Sequence, residues 1–170
     1  MDDKGDRADG ADAQERDAAF AHLEELLGRL EDIQEKDTQL ARAREARELI
    51  ALREEAHAAA AASERHEELF LQALRDAKRA SDADDKEEEG RNLALVRMYD
   101  DLRHSKKAPM ERARTAFAQR LKAVGLAPDA PLEDHALSDE ELAALTAEVT
   151  AYQDDYARTY AFCKEAEEIH

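Results

Sequence analysis

The chain has 170 residues, with 42 acidic and 25 basic side chains and a formal net charge of −17. Only 5% of it is aromatic, it lacks Trp, and it has 5 Gly, 3 Pro and 1 Cys. A single cysteine excludes a disulfide framework and a Cys-based zinc finger within one chain, and this charge excludes a nucleic-acid surface spread over the whole protein.

The first ten residues are acidic and polar, which does not fit a secretory signal. Asp2 stands where myristoylation needs Gly. No apolar run approaches the roughly 18 residues of a membrane span, so the expectation is a soluble cytoplasmic protein. Val, Ile and Thr are scarce and no stretch alternates as a half-buried strand does. Ala, Glu, Leu, Arg, Lys and Gln dominate, and all favour helix. The expected fold is all-α: a long antiparallel helical hairpin or coiled coil, with additional helices forming an elongated bundle.

In chain order, residues 1–11 carry four Asp and two Gly and read as a disordered acidic tail ahead of a single helical domain over 12–170. A first helix starts near Asp12, with Phe20, Leu23, Leu27 and Leu30 on one face. Ile33 and Leu40 continue that stripe with a phase slip, and Asp37-Thr38 is either a break or a stutter in one long helix. Leu49, Leu52, Ala56, Ala59, Ser63, His66, Phe70, Ala73, Ala77 and Ala80 then follow strict 3,4 spacing, a seam of more than four heptads. Five of these ten residues are Ala, so the seam needs a partner helix with larger side chains, from this chain or from a second copy. Homodimerisation through it is one expectation.

Six of the ten residues from Ser81 to Gly90 are acidic. A turn here folds the hairpin, which spans about 12–105, with Ser81 or Asp82 as the cap of the returning helix. Leu95, Met98, Tyr99 and Leu102 form the face of that helix. Pro109 then opens a separate helix over about 109–124, with Met110, Ala113, Phe117, Leu121 and Val124 inward and Gly125 as its C-cap. Residues 125–137 form a loop. Ser138 and Glu141 make a capping box at the head of a last helix over 138–168. Its face holds Leu142, Leu145, Val149, Tyr152, Tyr156, Tyr160 and Cys163.

Few constellations point to chemistry. Glu54-x-x-His57 and Glu167-x-x-His170 have the spacing of di-iron carboxylate bundles, but acidic residues are common enough here for such matches to arise by chance. Glu54, His57 and His66 are therefore only nominal metal ligands, and no metal or cofactor is expected. The acidic run from Asp82 fails the calcium-loop pattern, with Lys86, Glu87 and Leu93 at its fifth, sixth and twelfth places. His66 lies on the seam, where a polar residue can set register or answer to pH. A half-buried His satisfied by a neighbouring Glu is the simpler reading.

Cys163 has no base within a turn, as a nucleophile requires, and reads as a small packed residue. Tyr152, Tyr156 and Tyr160 form a ladder whose hydroxyls could reach the rim of a binding groove. No phosphate-binding glycine loop and no nucleophile elbow occurs, and no enzymatic activity is expected. Residues 41–80 are neutral, with eight acids and eight bases. Arg103, Lys106, Lys107, Arg112, Arg114, Arg120 and Lys122 face only Glu111 in the 103–122 segment, a net of +6. This segment packs beside acidic helices of its own chain or offers a basic patch to an acidic partner. The global charge opposes nucleic acid as that partner.

The reading these features favour is a protein–protein interaction module: an adaptor, assembly factor, chaperone-like protein or regulatory coiled coil. Two alternatives follow the same residues, an acidic decoy for a basic protein and a metal-binding carboxylate four-helix bundle.

Overall fold

The computed structural model describes the backbone of residues 5–168 and the side chains of residues 12–168. The side chains of the expected 1–11 tail lie outside the described residues. Among the described residues there are four α-helices, α1 (Gly5–Gly28), α2 (Leu30–Asp82), α3 (Lys86–Ala123) and α4 (Asp139–Glu168), with one 3-10 turn at Leu132–Asp134. There is no strand among the described residues, so the fold is all-α. The described residues sort into two compact units, 5–45 with 135–168, and 46–134.

In the first unit α1 packs on α4. Its core joins Leu26, Ile33 and Tyr152, with Tyr156 against them. The expected face of Phe20, Leu23, Leu27 and Leu30 is corrected after Leu23. Leu26 is buried, whereas Leu27 and Leu30 are 47% and 37% exposed. Leu27 already faces out within α1, and a break follows at Arg29, after the helix-weakening Gly28, before Leu30 begins the next helix. There the Leu26 carbonyl accepts the Arg29 N–H at 3.1 Å in a tightened turn and also the Tyr152 hydroxyl at 2.7 Å. The sequence stripe ignores this break and so carries the wrong phase across it. Asp37 and Thr38, by contrast, lie inside continuous helix, where the Thr38 hydroxyl donates to the Gln34 carbonyl of its own helix at 2.9 Å.

The second unit is the hairpin of α2 and α3, which pack closely. All ten residues of the 3,4 seam are buried or half-buried within the single chain. Leu49 and Leu121 share a core with Leu132, and the Arg103 guanidinium reaches Glu67 at 3.1 Å. Both pairs are symmetric about residue 85, which fixes the register of the arms. The turn between them follows the Schellman pattern. Asp84 N–H donates to the Ser81 carbonyl and Asp85 N–H to the Ala80 carbonyl, and Asp84 takes a left-handed φ of 53°. The cap of α3 is Asp85, not Ser81 or Asp82; its carboxylate accepts the Glu88 N–H at 3.1 Å.

The returning arm departs from expectation twice more. Pro109 lies inside α3 and does not start a helix. Its ring is on the exposed side, where water solvates the carbonyl that loses its amide partner. The inward face carries buried Asn92 where Leu95 was expected, and Leu95 and Met98 are exposed. Asn92 donates to Glu88 at 3.4 Å, and by the register of the arms it lies level with the Ala-lined part of α2, too narrow for a row of leucines. Gly125 ends α3 as predicted, with φ 73°. It uses the same bond pattern as Asp84: Gly125 N–H to Lys122 and Leu126 N–H to Leu121. The loop is not merely a connector, since Leu132 is buried against Leu49 and Leu121 and Glu133 pairs with Arg53.

Candidate interaction surfaces

The capping box holds α4 at its start: Ser138 N–H donates to the Glu141 carboxylate at 2.9 Å and Glu141 N–H to the Ser138 hydroxyl at 3.1 Å. These bonds hold the Glu141 carboxyl below its ordinary pKa. Along the helix Val149, Tyr152 and Cys163 are buried, and Leu142, Leu145 and Tyr156 half-buried. Tyr160 is 51% exposed, a correction with a geometric cause. Steps of four residues turn the side chain by about 40° each, so Tyr160 has rotated away from Tyr152 while Cys163 has come back. The three rings stack, at 6.2 and 6.0 Å between centroids, and the Arg29 guanidinium covers the Tyr152 end at 5.7 Å. The ladder is thus mainly structural, with its last ring in solvent. Burial, followed by the charge of Glu167, pushes the Cys163 thiol pKa up, which keeps it protonated and unreactive.

Two polar contacts that the sequence did not reveal tie α4 to its unit. His22 reaches Asp155 at 2.9 Å and Glu25 at 3.5 Å, which raises the imidazole pKa, chiefly through the Asp155 hydrogen bond. Lys36 bridges Glu148 at 2.6 Å and Asp32 at 2.9 Å, and its pKa rises for the same reason. Pairs this far apart in sequence leave no spacing signal. Beside His22, α1 and α4 bound an open cleft of about 420 Å³ whose walls include Glu15, Asp155, Arg158 and Phe162.

The nominal metal ligands do not converge. Glu54 and His57 are exposed. His66 is half-buried, with Nδ1 against the Ala62 carbonyl at 2.7 Å, so its partner is its own helix and not a glutamate. His170 lies outside the described residues. Among the described residues no three His, Cys, Asp or Glu side chains lie close enough together to hold a metal ion.

The basic segment splits into two sets. Arg103 lies over the Phe70 ring at 3.9 Å and binds Asp100 at 2.7 Å and Glu67 at 3.1 Å. Arg120 binds Glu48 at 3.1 Å. These two cations stitch α3 to α2, as the packing alternative expects. Lys107, Arg112, Arg114 and Lys122 are exposed and form the basic surface.

The outer surface of the hairpin is uneven. Leu69, Leu71 and Leu74 on α2 and Leu93, Leu95 and Met98 on α3 are each 37–46% exposed. All six fall between residues 69 and 98, beside the seam's Ala73, Ala77 and Ala80. No helix among the described residues is long and apolar enough to cross a membrane. Comparison with protein families, with curated proteins and with solved structures returns no match.

Proposed function

We propose that the chain is a non-enzymatic helical protein–protein interaction module, acting in the cytoplasm, whose working surface is the outer side of the hairpin around residues 69–98. One observation carries the reading: six large apolar side chains are exposed over residues 69–98, with Leu71 beside Leu74 and Leu95 beside Met98 at i,i+3 spacing. Scattered single apolar residues on a surface need no explanation, but a cluster of them marks a contact site. The adjoining acidic turn adds a rim that favours partners with basic borders. The Ala-rich seam supports the surface from within and does not itself offer a face to solvent.

The test is to replace Leu71, Leu74 and Leu93 together by Ser in the full chain and to compare the proteins retained by wild type and variant. These positions are exposed, so the helix content by circular dichroism should not change. Loss of a specific partner supports the reading; an unchanged retained set overturns it. An acidic decoy would instead lose its partner with salt and keep it in the triple variant.

A further inference from the structure

The hairpin is electrically divided. Residues 64–101 hold twelve acidic and seven basic side chains. The opposite end, residues 46–63 with 102–122, holds four acidic and nine basic ones. The two ends therefore carry opposite net charges of similar size on one rod of two helices. The outer face of α3 runs through both ends as a line at 3,4 spacing, Ala94, Met98, Asp101, Ser105, Ala108, Arg112 and Thr115, every member exposed. On the acidic side this line carries Met98, 45% exposed, with Leu95 beside it at 40%. On the basic side Ala108, Thr115 and Ala116 help to line a shallow groove of about 410 Å³, with the exposed ring of Pro109 adjoining.

We infer that this face docks a second copy of the same chain, antiparallel, about a two-fold axis near residue 103 of α3. A two-fold contact must be self-complementary, each patch meeting its opposite on the partner, and this face has both complements on one helix. An axis at residue 103 brings Met98 level with Ala108, a large side chain over a small one. It sets Asp101 within a turn of the exposed Lys107 and Lys122 level with Asp84. A parallel pairing would instead stack acid on acid and base on base. The inference rests on the interaction reading and names a second copy as one partner. It moves self-association from the seam, which α3 already covers, to the outer face of α3.

The experiment is sedimentation velocity with the full chain over a range of concentrations, beside two variants at exposed positions. Wild type is expected as a monomer–dimer equilibrium. Met98→Glu should weaken it by roughly tenfold or more, the scale of losing a central contact, with unchanged helix content. Lys107→Glu should weaken it as well, and adding Asp101→Lys to that variant should restore it. Orientation is read from cysteines: oxidised Met98→Cys/Ala108→Cys should give a covalent dimer, and Met98→Cys alone should not. A chain that stays monomeric at every concentration, or a dimer indifferent to Met98→Glu, overturns the inference. A monomer that still loses a foreign partner in the Leu71, Leu74 and Leu93 variant overturns only the second copy, and the interaction reading stands.

Discussion

The two ends of the hairpin are built inside out with respect to each other. Near the loop, the large side chains are inside: Leu49, Leu121 and Leu132 are buried together, backed by Ile50, Phe117 and Val124, and the outer face of α3 carries Ala108, Thr115 and Ala116. Near the turn the inside is Ala73, Ala77 and Ala80 with Asn92, and the leucines are outside. Burial contributes in proportion to apolar area removed from water, so the loop end supplies most of the stability and the turn end is held by what it is attached to. Thin packing at the turn end also leaves large apolar residues exposed to solvent.

The strongest test of this contrast pairs two leucines of one helix. Leu49→Ala empties a site with no exposed surface, and should cost about 3–5 kcal/mol of unfolding free energy. Leu74→Ala, on the exposed side of the same helix, should stay within about 0.5 kcal/mol. Urea midpoints with unchanged slopes would measure both. Equal losses would mean that the turn end is as well packed as the loop end.

The two ends also close with the same backbone bonds and different residues. At the loop end Gly125 takes φ 73°, where glycine has no steric penalty, and at the turn Asp84 takes φ 53°. Gly125→Ala should therefore destabilise by about 1–2 kcal/mol, the cost of a left-handed residue. Asp84→Gly should stabilise, though by less, about 0.5–1 kcal/mol, because Asp tolerates this region and glycine adds freedom to the unfolded chain. Thermal midpoints moving in opposite directions are the expected result. A loss in both would show that the Asp84 side chain stabilises the turn by more than its backbone strain costs.

A smaller effect belongs to Gly90, one turn into α3, where a Cβ would meet only open space. Gly90→Ala should raise stability by about 0.5–1 kcal/mol through helix propensity alone. The gain sharpens the contrast, since nothing at the turn end then resists an added methyl group.

Much of this was legible in the sequence wherever one local rule acted alone. The ten-residue seam, the Ser138–Glu141 box and the Gly125 cap each depend on spacing or backbone preference within a few residues, and each stands as read. The misses arise where a distant group decides. Tyr152 packs on Leu26 and bonds its carbonyl from 126 residues away, and the buried position of α1 is Leu26 and not Leu27. Leu132 looks like loop until Leu49 and Leu121 enclose it. Asn92 is inward because the facing residues are alanines, a fact of register that a single helix cannot display. Pro109 is tolerated because its side of α3 faces water. Periodicity identifies the face a helix buries and not what covers it: the seam left open a helix of this chain or of a second copy, and α3 packs closely on α2.

The last comparison is between the loop end of the hairpin and the α1–α4 pair, and pH separates them. Arg53 holds the Glu133 carboxyl below its ordinary value of 4.5. A depressed pKa contributes stability above the unfolded value, and that contribution is lost as pH falls through the lower folded value. His22 works in the opposite sense. Asp155 lifts its imidazole above 6.5, so its contribution is complete below 6.5 and is lost as pH rises through the higher folded value. Both groups are solvent-facing, so both effects are small. In a proton titration followed by NMR, His22 should titrate above 6.5 in wild type and return toward 6.5 in Asp155→Asn, while the hairpin signals stay still. An unmoved His22 in that variant would sever α1 docking from the Asp155 contact. It would leave the contact of Leu26 with Tyr152 as what holds α1 to α4.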